Sequence, residues 1–313
     1  MSFIDCWFLT GPTASGKTVV GINIAERLGA EIISLDSMVV YRGMNIGTAK
    51  PTDAECARVA HHLIDVVSPD EEYSVAEYWD TAWRTVQNIR RRGHQVLFVG
   101  GTPLYLKTLL RGLSSGPPPD REFRRQVTDE VQQVGLQALH DRLRQVDPLS
   151  AAKLHPHDVK RIIRALEVYH LTGQPISHLQ TQFDEGRPAH ECFVFKLDWP
   201  RVQLYERIDT RVDRLFEQGL VEEVRGLLAT FGGFSKTAYQ AVGYREVVHY
   251  LAGKADWEQT VQAVKTRTHR FAKHQETWFR RLSECSPLPM SNDFDPNLIA
   301  TEIVALGRAR QVP

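Results

Sequence analysis

Gly11, Pro12, Thr13, Ala14, Ser15, Gly16, Lys17 and Thr18 match G-x-x-x-x-G-K-S/T at every fixed position. An apolar run precedes them and a helical pattern follows, the context such a loop needs. Glycines let consecutive backbone N–H groups turn toward phosphate oxygens, and a helix N-terminus adds partial positive charge. In this arrangement Lys17 reaches the terminal phosphates and the Thr18 hydroxyl ligates Mg²⁺. The bland alternative is a glycine turn with an exposed lysine, which leaves the strand and helix in register unexplained. The loop therefore predicts a di- or triphosphate ligand with Mg²⁺ as cofactor.

A nucleoside triphosphate is the first ligand such a loop suggests. Many enzymes of that kind place an Asp at the end of a later apolar strand to hold the Mg²⁺ shell. Here the best such strand, VLFVGGT, ends in glycines and Thr102. Asp36, after the second apolar run, is the carboxylate that faces the loop instead. Beside a bound diphosphate it can take a proton from a nucleophile, or it can simply shape a turn. Thr102 can bond a diphosphate or leaving oxygen, or cap the helix that begins at Pro103.

Two basic stretches suit a phosphate backbone. One is DVKRIIRALE, with Lys160, Arg161 and Arg164 interleaved with Ile162 and Ile163. The other lies between Val261 and Arg281, where six basic residues stand against one acid, Glu276. A solvated basic face is the alternative for either. Phe271, Trp278 and Phe279 are read as core rather than as stacking platforms. Arg211 and Arg214 either face a diphosphate or pair with Asp209 and Asp213. The histidine pairs lack carboxylate or cysteine partners at ligand spacing.

These groups need a frame to hold them. Short apolar runs at Cys6–Leu9, Glu31–Leu35 and Val96–Val99 read as strands, and Leu63–Val67 as a further one. Helices at Lys17–Leu28 and Val75–Arg92 alternate with them, the second with Trp79, Trp83, Val86 and Ile89 inward. The expected fold is an α/β P-loop core with a parallel sheet and an inserted all-helical domain. The turns after its strands should meet at one site, since ligands lie beyond the carboxyl ends of such strands. Ser114–Pro119 reads as a linker, which divides the chain into 1–119, a helical insertion at 120–187, and a completion of the core at 188–313.

The 313 residues carry 38 basic and 38 acidic side chains, so any affinity for nucleic acid must come from a local face. The four cysteines form no C-x-x-C pair, which speaks against zinc-ribbon and redox motifs and for reduced thiols in the cytoplasm. No apolar run reaches the roughly 20 residues of a membrane span, and the first residues lack the pattern of a signal peptide. Nothing in the sequence demands more than a monomer.

The chain resembles the bacterial tRNA dimethylallyltransferase family over nearly its whole length. The resemblance rests on GPTASGKT at 11–18, DSMVVYRGMNIGTAKP at 36–51, VGGTPLYLK at 99–107, HPHDVKRIIRALEVY at 155–169, QAVGYRE at 240–246 and RFAKHQETWFR at 270–280. It implies dimethylallyl diphosphate as donor and the anticodon stem-loop of tRNA as acceptor. Asp36 is then the base, Thr102 and Lys17 stand at the catalytic turn and loop, and Arg211 reaches the diphosphate. It also implies tRNA contacts from Asp36, Ser37, Met38, Val39, Arg124, Lys160, Arg161, Ile162, Ile163, Arg164, Gly243, Tyr244, Arg245, Lys273 and Arg280. Three positions depart from the family pattern: Val39 stands where Gln is common, Lys160 is a mild change at a basic or amide position, and His274 stands where Arg is frequent. The rival expectation is an ATP-dependent small-molecule kinase with the same loop. A second rival is a non-catalytic RNA-binding or GTP-sensing protein.

Overall fold

The computed structural model describes residues 3–113, 116–180 and 186–310. Ser114 and Ser115 of the expected linker lie outside them, as do residues 181–185 of the expected insertion. The chain divides into two compact units, one formed by Met1–Leu110 with Gly186–Pro313 and the other by Arg111–Glu185.

The first unit is built on a six-stranded, all-parallel sheet in the order β3-β2-β4-β1-β5-β6. The strands are β1 (Trp7–Thr10), β2 (Ala30–Ser34), β3 (His61–His62), β4 (Gln95–Gly100), β5 (Val194–Asp198) and β6 (Cys285–Pro289). β1 and β2 are buried throughout, as the central strands of a parallel sheet covered on both faces must be. Four helices separate the first strands: α1 (Lys17–Leu28), α2 (Asp53–Arg58), α3 (Val75–Arg91) and α4 (Pro103–Arg111). A capping box of Ser74 and Glu77 starts α3. Its inward stripe is Tyr78, Ala82, Val86 and Ile89, with Trp79 and Trp83 half-buried beside it, one position off the expected face.

The expected strand at Leu63–Val67 does not form. Leu63 and Asp65 have φ of 60° and 55°, which a strand cannot contain, and the chain pairs earlier, at His61–His62. β6 gave no signal because Pro287 and Pro289 lie in it, a composition tolerated only at a sheet edge.

The second unit holds α5 (Arg121–Val146), α6 (Pro148–Lys153), α7 (Val159–Thr172) and α8 (Ile176–Leu179), with no strand among its described residues. Its core joins Phe123, Val127, Leu139 and Leu143 to Ile162, Ile163 and Leu166. Glu167, fully buried there, accepts from Arg124 and Arg164. The chain then returns to the first unit for α9 (Arg201–Glu217), α10 (Leu220–Phe231), α11 (Tyr244–Leu251), α12 (Trp257–Phe279) and α13 (Pro296–Ala309). No helix among the described residues is long and apolar enough to cross a membrane.

Candidate active site

The turns after β1, β2 and β4 open into one cavity of about 910 Å³, whose lining belongs entirely to the sheet-bearing unit. β1 sits between β4 and β5, so the loop at its carboxyl end lies centrally at the sheet edge where ligands bind in such folds. Thr13 through Thr18, Asp36 through Val39 and Gly100 through Thr102 all line the cavity, and α9 adds Arg211. Gly11 and Pro12 are buried beneath it as the base of the loop.

The phosphate loop is held from outside. Trp199 Nε1 donates to the Ser15 carbonyl at 3.0 Å, and Arg207 Nε donates to the Ala14 carbonyl at 3.0 Å. The Arg207 guanidinium lies over the Trp199 ring, 4.2 Å from its centroid. Ala14, a non-glycine, has φ of 62°, a conformation that costs roughly 1–2 kcal/mol and that these bonds hold in place. Gly16, with φ of 87°, is the N-cap of α1 and offers no side-chain cap. The helix therefore begins with its N–H groups free for an anion, unlike α3 and α12, whose first turns are closed by capping boxes.

Two cations share this end of the cavity. Lys17 Nζ donates to the Pro12 carbonyl at 2.6 Å and to Ser15 Oγ at 3.3 Å. Desolvation holds its amine down to about 7, the Arg211 guanidinium pushes the same way, and Asp36 opposes both. Arg211 makes no hydrogen bond or ion pair among the described residues, and its guanidinium is itself desolvated. The sequence left open whether it pairs with a neighbouring acid. The structure pairs Asp209 with His269 and Asp213 with Lys265 instead, so Arg211 stays unpaired in the cavity. A desolvated, unpartnered guanidinium and a depressed lysine beside an uncapped helix end make a receptor for a polyanion.

Asp36 and Thr102 line the same cavity, and the Asp36 charge is felt by both cations. One Asp36 oxygen accepts from Met38 N at 2.8 Å, so the turn-forming role is real, and the residue also lines the cavity. The Thr102 hydroxyl accepts from Ser37 N at 3.0 Å and reaches Ser37 Oγ at 3.4 Å. It thus ties the β4 turn to the β2 turn. Thr18 follows Lys17 on the cavity wall. Among the described residues no group of three or more His, Cys, Asp or Glu gathers to hold a metal alone. A hard cation carried mainly by phosphate oxygens needs few protein ligands, and Thr18 on this wall has a hydroxyl that could be one.

Of the other expected contacts, Met38 and Val39 line the cavity, Val39 with only 6% of its surface exposed. Gly243 caps α11 with φ of 96°, and Arg245, Lys273 and Arg280 are exposed outside the cavity. In the second unit Lys160 and Arg161 are exposed, the latter paired with Asp158, while Arg124 and Arg164 are engaged with Glu167. Ile162 and Ile163 are buried in the core of the helical unit, and Tyr244 is buried with its hydroxyl on Glu223, so these side chains help to set their helices. The basic stripe is also shorter on its helix than read, because α12 ends at Phe279, and Lys265 and Arg267 are spent on Asp213 and Glu246.

Sequence reasoning missed Arg207, Trp199 and Gln275, which brace the loop. It also placed Phe271 in the core, whereas Phe271 is 43% exposed and lines the cavity with Arg270 and His274. A signal for Gln275 existed: it falls on the inward stripe of α12 with Val264, Thr268, Ala272 and Phe279, where an amide needs buried partners.

The family model for IPP transferase matches residues 39–282. The chain is 51% identical to a tRNA dimethylallyltransferase of Rhodopirellula baltica, over 90% of this chain and 87% of that protein. It is 45% identical to one from Pelotomaculum thermopropionicum, over 94% of each. Among solved structures it resembles a tRNA isopentenylpyrophosphate transferase of Bacillus halodurans, with a TM-score of 0.70, 36% identity and 98% of each chain covered. A eukaryotic dimethylallyltransferase acting on tRNA superposes with a TM-score of 0.81 at 26% identity, over 98% of this chain and 80% of that one.

Proposed function

Because the chain belongs to the IPP transferase family, we propose that it transfers a dimethylallyl group from dimethylallyl diphosphate to a tRNA adenosine. The acceptor is the exocyclic amine of the adenosine 3′ of the anticodon, in tRNAs reading codons that start with U. The observation that carries this reading is the pairing of two chemistries in one cavity. Lys17, Arg211 and the free start of α1 form a polyanion receptor, and Asp36 and Thr102 line the same cavity. The relatives at high identity are named prenyl transferases, which favours this reading over the kinase.

In the reaction the adenosine nitrogen attacks the allylic carbon bonded to the diphosphate oxygen. That C–O bond breaks, and the diphosphate leaves with its electron pair. Lys17, Arg211 and the loop amides stabilise the charge that develops on it. Asp36 takes the proton released by the amine through its cavity-facing oxygen. Thr102 holds the Asp36–Ser37 turn and faces the leaving group. Thr18 would hold Mg²⁺, which when bound adds further neutralisation of the departing diphosphate. A stacked adenine cannot reach Asp36, so the base has to leave its stack to react.

The test mixes the protein with Mg²⁺, labelled dimethylallyl diphosphate and an unmodified tRNA whose anticodon is followed by adenosines. Label should pass to RNA with no turnover of ATP. Asp36→Asn should lower the rate by about 10²- to 10⁴-fold, the usual contribution of a positioned base. ATP consumption without transfer would move the chain to the kinases.

A further inference from the structure

Gln275 is a buried amide on α12, 3% exposed, and it makes no bond within its own helix. Both polar atoms are spent on backbone far away in sequence. Oε1 accepts from Thr13 N at 2.9 Å, in the phosphate loop. Nε2 donates to the Gly101 carbonyl at 2.6 Å, in the turn that carries Thr102. Gly101 is the residue that admits the amide: a Cβ there would lie 2.6 Å from Gln275 Nε2, and 3.6 Å from Lys17 Nζ. Thr102 in turn accepts from Ser37 N, beside Asp36. One side chain thus joins the phosphate loop to the turn that carries Thr102. The same stretch of helix places Arg270, Phe271 and His274 on the cavity wall.

We propose that Gln275 is a positioning residue that fixes the spacing between the phosphate loop and the Asp36–Thr102 turns. This rests on the transfer reaction proposed above and adds a residue to it. Spacing of this kind governs the chemical step more than binding: the donor carbon is held from the loop, the proton acceptor from the turn, and their separation decides whether the attack is in line. A misplacement of about 1 Å costs on the order of 10²-fold in rate. A packing role would act on stability alone, and an RNA contact would act on RNA affinity alone.

The experiment compares wild type with Gln275→Met, which removes both hydrogen bonds at similar volume. It also uses Gln275→Glu, which keeps an acceptor for Thr13 N but sets an oxygen against the Gly101 carbonyl. Transfer is measured in single turnovers with donor and RNA saturating, and RNA affinity separately on an anticodon stem-loop. Both variants should lose about tenfold or more in the saturated rate, with RNA affinity held within about threefold. A wild-type saturated rate in the folded variants overturns the proposal, as does a loss confined to RNA affinity. If Gln275→Met does not fold, Gln275→Glu carries the same comparison. Calorimetry with inorganic pyrophosphate and Mg²⁺ separates this proposal from the reaction it rests on. If wild type transfers no label, the reaction fails while Gln275 is still tested: pyrophosphate binding about fivefold weaker in the variants supports the brace, and unchanged binding removes it.

Discussion

Lys17 is a lysine whose charge depends on its ligand. In the free protein its amine is held down to about 7, first by desolvation and then by Arg211. Below that pH the amine is a cation. Above it the amine is largely neutral, and binding a diphosphate must first return the proton. Affinity for inorganic pyrophosphate should therefore fall as pH rises through about 7, with proton uptake on binding. Lys17→Arg keeps its charge throughout, so the ratio of wild-type to variant affinity cancels the ligand's own titration. That ratio should drop between about pH 6 and about pH 8, read by calorimetry in buffers of different ionisation heat. A flat ratio would mean that the amine is not held down. Asp36 shows the other lesson of this scale. Turn and base were rival readings of one carboxylate; one oxygen serves the Met38 amide, and the proposed reaction gives the base role to the other.

The DSMVVYRGMNIGTAKP segment was legible as a motif, but the shape of its loop is set by an element far along the chain. Glu223 on α10 accepts from the N–H groups of Asn45 and Ile46 at 2.9 and 2.7 Å, and from Gly47 at 3.3 Å. The Tyr244 hydroxyl donates to the same carboxylate at 2.6 Å. Gly47 is needed because a Cβ there would lie 2.4 Å from the Tyr244 ring. Gly47, Thr48, Ala49 and Pro51 then form one wall of the cavity. Glu223→Ala should cost about 2 kcal/mol, the loss of charged hydrogen bonds to backbone donors that water only partly replaces. Denaturant unfolding would measure it, and limited proteolysis should show new cleavage near Asn45. A stability unchanged within a few tenths of a kcal/mol would mean that the loop holds itself. Periodicity located α1 and α3 because their inward stripes are local, though on α3 it set Trp79 and Trp83 one position off. It could not locate the left-handed Leu63 and Asp65, which follow from the loop's path rather than from residue type.

Across the whole molecule, the proposed diphosphate receptor and proton acceptor belong wholly to the sheet-bearing unit, while Lys160 and Arg161 belong to the helical one. The two functions are therefore separable by mutation. Lys160→Ala and Arg161→Ala should each weaken RNA binding and lower the slope of log K against log salt by about 1, as when one fewer phosphate is neutralised. Pyrophosphate affinity should stay at the wild-type value in both. An unchanged salt slope would make these residues a solvated face, the alternative their pattern allowed.

Residue types and their spacing were enough to identify the phosphate loop, the α/β class and the turns that meet at the cavity. Each of these depends on local signals: fixed glycine spacing, apolar runs of strand length, and helix caps. Which cations stay unpaired came from the packing alone, since Asp209 and Asp213 were neighbours of Arg211 in sequence but found His269 and Lys265 in space. So did the bracing of the loop by Gln275, Arg207 and Trp199, because their partners lie between 174 and 262 residues away. A hydrogen bond of that range leaves no period or spacing in the chain, and only the packed fold brings its two ends together.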